Sequence, residues 1–373
     1  MKTWKEELKE NITTVEELAS LLTFSEEEIS GMKEVTKYFP MSIPRYYFSL
    51  INKDDPADPI RKMSLPAAGG LNREGLLDTS GESENTVMPC LQHKYESTVL
   101  ILSTNRCAMY CRHCFRRRLV GIPGAEAESH IDDMIRYVRE HPGINNVLLS
   151  GGDALMNENW KIEEYLEKFS SLPQLDFIRI GSRTPVTFPH RITGDAELQE
   201  ILGKYQKKKQ IYMVTHFNHP AEMTGEACEA VRVLQKLGLI IKNQTVLLKG
   251  VNDDPLVLGT LLRKIASWGM VEHYIFQCRP VVGVKNRFQL PIMEGSRIVN
   301  AANAMQNGMG KSAQYTMSHH TGKIAILGLN DASEMVFQYR QGKNPSDIGR
   351  IFTIRLSETD MWLDQIPPLS GRR

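Results

Sequence analysis

TVLILSTNRCAMYCRHC, residues 98–114, is the stretch that decides how the chain folds. Its opening residues are mostly apolar or β-branched and too few for a helix, so they read as a strand buried in a parallel sheet. A polar loop follows at the strand's C-terminal end and carries cysteines at 107, 111 and 114. Working outward, similar runs recur at 146–150, 177–181, 211–215, 240–248 and 273–277, with amphipathic stretches such as 131–139, 162–169 and 228–237 between them. A spacing of roughly 30 residues is that of a βα unit. The pattern predicts an α/β fold, a partial (β/α)6-type TIM barrel with strands buried on both faces and chemistry at the C-terminal strand ends. Polar motifs follow nearly every run: SGGD at 150–153, SRTP at 182–185, HFNH at 216–219, and Cys278-Arg279.

The flanks read differently. Residues 1–94 form a helical, turn-rich N-terminal region: Thr14 and Glu17 suggest a capping box before Leu18, Leu21 and Leu22, and Ser25 opens a second helix. Residues 67–85 read as a polar loop. The barrel occupies 95–290. The C-terminal segment, 291–373, holds a hairpin of 315–319 and 323–327, and a tail around Pro367-Pro368 that is expected to fray.

Of 373 residues, 41% are hydrophobic and 24% charged, the balance of a soluble globular protein. A net charge of +1 provides no field for nucleic acid or membrane. The only basic runs are the arginines at 116–118 and the lysines at 207–209, the latter on an expected solvent-facing turn. The charged start, MKTWKEELKEN, has no apolar core of a signal peptide, and no window is apolar over a membrane's width. A cytoplasmic location is expected.

Three of the six cysteines fall within eight residues, while Cys90, Cys228 and Cys278 are scattered and read as small buried hydrophobes. That distribution fits a metal site better than a disulfide framework. Cys107, Cys111 and Cys114, at C-x3-C-x2-C spacing, leave one iron of a [4Fe–4S] cubane without a protein ligand, open to chelation by the methionine end of S-adenosylmethionine. A zinc site of the three cysteines and His113 is the competing reading, but no second knuckle accompanies it. The spacing resembles the radical S-adenosylmethionine superfamily, in which one electron from the cluster cleaves the cofactor to a 5′-deoxyadenosyl radical.

Longer strings narrow the resemblance. MYCRHCFRRR (109–118), LLSGGDAL (148–155), RIGSRTP (179–185), THFNHP (215–220), NQTVLLKGVND (243–253) and DPIRK (58–62) look like the lysine 2,3-aminomutase family. By this resemblance the cysteines hold the cluster, and Gly151, Gly152, Asp153, Ser182, Arg183, His216 and Gln244 form the S-adenosylmethionine shell. Arg116 matches the arginine for the substrate α-carboxylate, a bidentate task that suits a guanidinium. Arg117 and Arg118 read as solvated. The family also carries pyridoxal phosphate.

The departures concern that last cofactor and the substrate. The family's two phosphate-clamping arginines fall at Lys94 and Thr98, and the Schiff-base lysine has no clear counterpart: Lys311, in GMGK (308–311), is the first candidate and Lys323 the second. Arg279 stands where the lysine enzyme has an aspartate for the substrate's distal ammonium, a charge reversal that favours a carboxylate or phosphate. Two readings result. The first is a radical enzyme isomerising or rearranging a small carboxylate-bearing, amino-acid-like substrate without pyridoxal phosphate. The second is a pyridoxal-dependent 2,3-aminomutase for an acidic amino acid, with Lys311 as its Schiff-base lysine; a non-catalytic metal-binding protein is a minor third. The partners expected are the small-molecule substrate and an electron donor of flavodoxin or ferredoxin type, with a homo-oligomer left open.

Overall fold

The computed structural model describes residues 2–122 and 130–365. The Pro367-Pro368 tail lies outside them. Twelve strands form one mixed sheet in chain order: β1 (Thr86–Met88), β2 (Leu91–Tyr95), β3 (Thr98–Thr104), β4 (Asn146–Gly151), β5 (Phe177–Gly181), β6 (Gln210–Thr215), β7 (Ile240–Leu247), β8 (Val271–Gln277), β9 (Gln314–Ser318), β10 (Gly322–Leu329), β11 (Met335–Gly342) and β12 (Ile351–Ile354). The six runs read from sequence are β3 to β8, all parallel. Helices Ile131–Glu140, Asn159–Ser170, Ala196–Gln206, Gly225–Lys236 and Pro255–Ser267 connect them.

The pattern that loosens after residue 290 conceals one more unit of the same kind. Helix Ile292–Ala304 crosses over to β9, which pairs parallel to β8. The expected hairpin is β9 and β10, in register Ser318↔Lys323, and it extends the parallel sheet rather than standing beside it. Upstream, Thr14 and Ser25 both cap helices, Val15–Leu21 and Glu26–Tyr38. Only Ser25 closes the reciprocal box with Glu28, because Glu17 turns instead to Arg45.

One expectation about the sheet is corrected. Its strands are not buried on both faces. Val99, Ile101, Val147, Leu149, Ile178, Ile180, Ile211 and Met213 lie in the hydrophobic core with the crossover helices, but the alternate residues Arg179, Tyr212, Lys242, Gln244, Tyr274, Phe276 and Lys323 keep accessible surface. Period-two alternation separates these sets onto opposite faces, so the second face borders an interior space. The sheet is strongly curved around it: Lys94 of β2 donates to the carbonyl of His319, just past the distant β9, at 2.7 Å. Among the described residues, no helix is long and apolar enough to cross a membrane.

Candidate active site at the C-terminal strand ends

The cysteine loop leaves β3 and is anchored by the N-terminal helices. Asn11 Nδ2 and Ser42 Oγ donate to the Ala108 carbonyl at 2.7 and 3.0 Å, and the buried Arg112 guanidinium donates to the carbonyls of Phe39 and Pro40. Cys107, Cys111 and Cys114 are free thiols. Burial pushes the Cys107 thiol well up and Cys114 to about 11, so both need nearby cations to ionise. Four sulfur or nitrogen ligands on one zinc stand within about 4 Å of each other, given bonds of about 2.0–2.3 Å. Neither the three cysteines nor any set with His113 is gathered within even 4.8 Å. His113 instead packs edge-on against Phe288. A spread trio fits a multi-iron cluster better than a single ion, and three donors leave a cubane one open iron.

The Gly151-Gly152-Asp153 turn docks on that loop. A Cβ on Gly151 would stand 2.3 Å from the Thr104 carbonyl oxygen, and one on Gly152 equally close to that of Arg106. The glycines thus let two backbones meet, and Gly151 also has φ +116°. Gly152 and Asp153 then donate their N–H groups to the carbonyls of Thr104 and Arg106. The buried Asp153 carboxylate accepts from the backbone of Leu155 and Arg183.

Arg183 links the remaining strand ends. Its Nη1 donates to Cys111 Sγ at 2.7 Å, its Nε to the His216 carbonyl at 3.1 Å, and its Nη2 to Glu222 at 2.5 Å. Glu222, fully buried, also accepts from Tyr47 and from the backbone of Asn218 and His219. Sequence reasoning missed Glu222, whose only local signal is a helix-capping position. His216 donates through Nδ1 to the Gln244 carbonyl, and burial lowers it to about 4, so its ring is neutral. The residues expected around S-adenosylmethionine therefore converge beside the cysteine loop.

Across the same opening lies a basic cluster. Arg116 donates to Glu82 at 2.7 Å and to Ser150 Oγ at 3.1 Å, and Arg118 also pairs with Glu82. Arg117 stacks on Phe39 at 3.5 Å. The expectation that Arg117 and Arg118 are solvated is therefore corrected, because each has a specific partner. Segment 67–85 was expected to be a polar loop, yet it buries Glu82 and places Ser80 at the site. Burial opposes the Glu82 charge, but Arg116 and Arg118 hold its carboxyl below the usual range. Arg279 donates to the hydroxyls of Ser80 and Ser318 and lies 4.4 Å above the Phe115 ring. It forms no carboxylate ion pair among the described residues.

The two lysine candidates separate clearly. Lys311 is exposed on a turn. Lys323 lies on the inner face of β10 with Nζ 4.7 and 4.8 Å from the Tyr274 and Phe276 ring centroids. Burial, reinforced by Arg179, Arg279 and Lys94, draws it down to about 7. Lys94 is likewise drawn down to about 7, by burial first and Arg279 second. Thr98 pairs in register with Tyr95, next to Lys94, and its hydroxyl accepts from Asn146. Of the scattered cysteines, Cys278 is buried as expected, whereas Cys90 and Cys228 are only half-buried.

Comparison with known proteins identifies the family. The profile of the Radical SAM superfamily matches residues 101–258. A putative L-lysine 2,3-aminomutase from Aquifex aeolicus (strain VF5) is 39% identical over 92% of this chain and 92% of its own. L-Lysine 2,3-aminomutase from Clostridium subterminale is 39% identical over 82% of this chain and 73% of its own. Glutamate 2,3-aminomutase from Clostridioides difficile (strain 630) is 37% identical over 82% and 72%, respectively. With that similarity over most of its length, this chain belongs to the lysine 2,3-aminomutase family, radical S-adenosylmethionine enzymes of the isomerase class that carry a [4Fe–4S] cluster.

Proposed function

We propose that the protein moves the amino group of a small amino acid whose side chain ends in a carboxylate, with pyridoxal phosphate anchored on Lys323. The observation that carries this reading is Arg279, a guanidinium held by two serine hydroxyls and, among the described residues, in no carboxylate ion pair. An ammonium side chain brought there meets like charge, whereas a carboxylate receives a two-pronged partner. The curved sheet then serves as a partial (β/α)6-type barrel with the reaction inside it.

The chain's own groups divide the work. Cys107, Cys111 and Cys114 would hold the cluster, and Gly151, Gly152, Asp153, Ser182, Arg183, His216 and Gln244 would line the S-adenosylmethionine beside it. Arg116, oriented by Glu82 and Ser150, would face the substrate α-carboxylate. Lys323 fits pyridoxal phosphate better than the exposed Lys311, because an amine near neutrality is nucleophilic and its position faces the interior. Lys94 provides the cation that a phosphate needs nearby. When bound, the reduced cluster supplies the electron that cleaves S-adenosylmethionine, and pyridoxal phosphate supplies a carbonyl for the substrate amine. A flavodoxin or ferredoxin type of protein in the cytoplasm would supply that electron.

The test is anaerobic turnover of reconstituted protein with S-adenosylmethionine, pyridoxal phosphate and a reductant, offering glutamate, aspartate and lysine separately. A β-amino product from a dicarboxylic amino acid is expected. Turnover of lysine alone would overturn the assignment.

A further inference from the structure

Past β9 the chain turns through His319, His320 and Thr321 before β10 begins. Among the described residues, His319, His320 and Asp364 are the one group of three metal-ligating side chains whose donor atoms all lie within 4.8 Å of each other. His319 Nε2 lies 2.7 Å from one Asp364 carboxylate oxygen, and His320 Nδ1 lies 3.6 Å from the other. The two imidazole rings are neighbours, with centroids 4.1 Å apart. Ligand atoms at about 2.0–2.2 Å from a tetrahedral ion stand roughly 3.4 Å from one another. Shifts of less than about 1 Å would therefore complete the geometry.

The surroundings resemble a supported metal ligand. The second ring nitrogen of His319, Nδ1, is 2.7 Å from Thr321 Oγ1, which is in turn 2.9 Å from the Tyr339 hydroxyl. The Thr321 backbone N–H also reaches this nitrogen, at 3.3 Å, and together these contacts fix the orientation of the ring, as the outer partners of metal-bound histidines do.

We propose that His319 Nε2, His320 Nδ1 and the Asp364 carboxylate bind one divalent ion of the zinc class, with water in the fourth position. Imidazole and carboxylate donors in a small tetrahedral set suit such an ion. It staples residues 362–364, including the buried Trp362, onto the turn between β9 and β10. That turn is flanked by Ser318 of β9, which holds Arg279, and by Lys323 of β10; the His319 carbonyl within it accepts from Lys94. The ion thus fixes three groups that border the interior, whatever reaction occurs there.

The experiment measures zinc and iron in cluster-loaded protein after dialysis against zinc, together with the thermal midpoint with and without zinc. His320→Ala is the discriminating variant, because His320 is exposed and takes no part in the His319–Asp364 hydrogen bond. The wild type is expected to keep about one zinc per chain beyond its iron and to gain thermal stability from it. His320→Ala and Asp364→Asn should lose zinc affinity by about tenfold or more with iron unchanged, and the His320→Ala midpoint should no longer respond. A wild type that keeps no zinc, a midpoint indifferent to zinc, or a His320→Ala protein that keeps as much zinc as the wild type would each overturn the proposal.

Discussion

Replacing Arg279 with glutamine probes the substrate assignment where it is most exposed. Two guanidinium N–H groups are committed to Ser80 and Ser318, which leaves others aimed away from both serines for a ligand carboxylate. Hydrogen bonds to charged groups contribute about 1.5–3 kcal/mol each, so two of them contribute roughly 3–6 kcal/mol. Glutamine returns one neutral donor, which puts the expected loss toward the lower end, about 10²- to 10³-fold in kcat/KM at 1.4 kcal/mol per decade. The assay compares the dicarboxylic substrate with its side-chain amide, following amino-group migration and 5′-deoxyadenosine formation together. The amide analogue should lose far less, because it never had the charge. Folding should not suffer, since burial already disfavours the Arg279 cation and draws it down to about 10. Iron content and thermal midpoint check this. A loss below about threefold for the dicarboxylic substrate, or equal losses for both compounds, refutes the reasoning.

Further outcomes follow from the buried charges. Lys323→Ala should abolish the visible band of lysine-bound pyridoxal phosphate, while Lys311→Ala keeps it; absorption spectra of the two variants decide between them. Lys323 and Lys94 fall from 10.5 to about 7 on folding. Between those values the unfolded chain binds more protons, so the stability of cofactor-free protein should rise with pH from about 7 upward. Lys323→Met should flatten that slope and raise stability at neutral pH in urea titrations. Arg191, fully buried, stacks on Trp4 and pairs with Asp195 while donating to the Leu155 carbonyl. Arg191→Ala leaves Asp195 without its partner and should cost about 3–5 kcal/mol in the same titrations.

What the sequence made legible was local. The six strands are compact apolar runs, and the cysteine spacing, Gly-Gly-Asp turn and capping serine each sit within a few consecutive residues. What stayed hidden came from distant partners. Nothing near Arg117 announces Phe39, and nothing near Glu82 announces two arginines more than thirty positions away. Lys311 and Lys323 each follow a glycine in the sequence, and only the curvature that brings β10 over Tyr274 and Phe276 tells them apart. The inner face of the sheet was misread for a related reason: Arg179 and Lys242 each lie one residue from a buried isoleucine, and an apolar run hides which face its polar members take.

The most direct measurement offers reconstituted protein a dicarboxylic amino acid deuterated at its carbon positions and weighs the 5′-deoxyadenosine released. The account predicts deuterium in that product, together with an isomer of the substrate carrying its amine on the neighbouring carbon. Deuterium drawn from lysine but never from a dicarboxylic amino acid would contradict it.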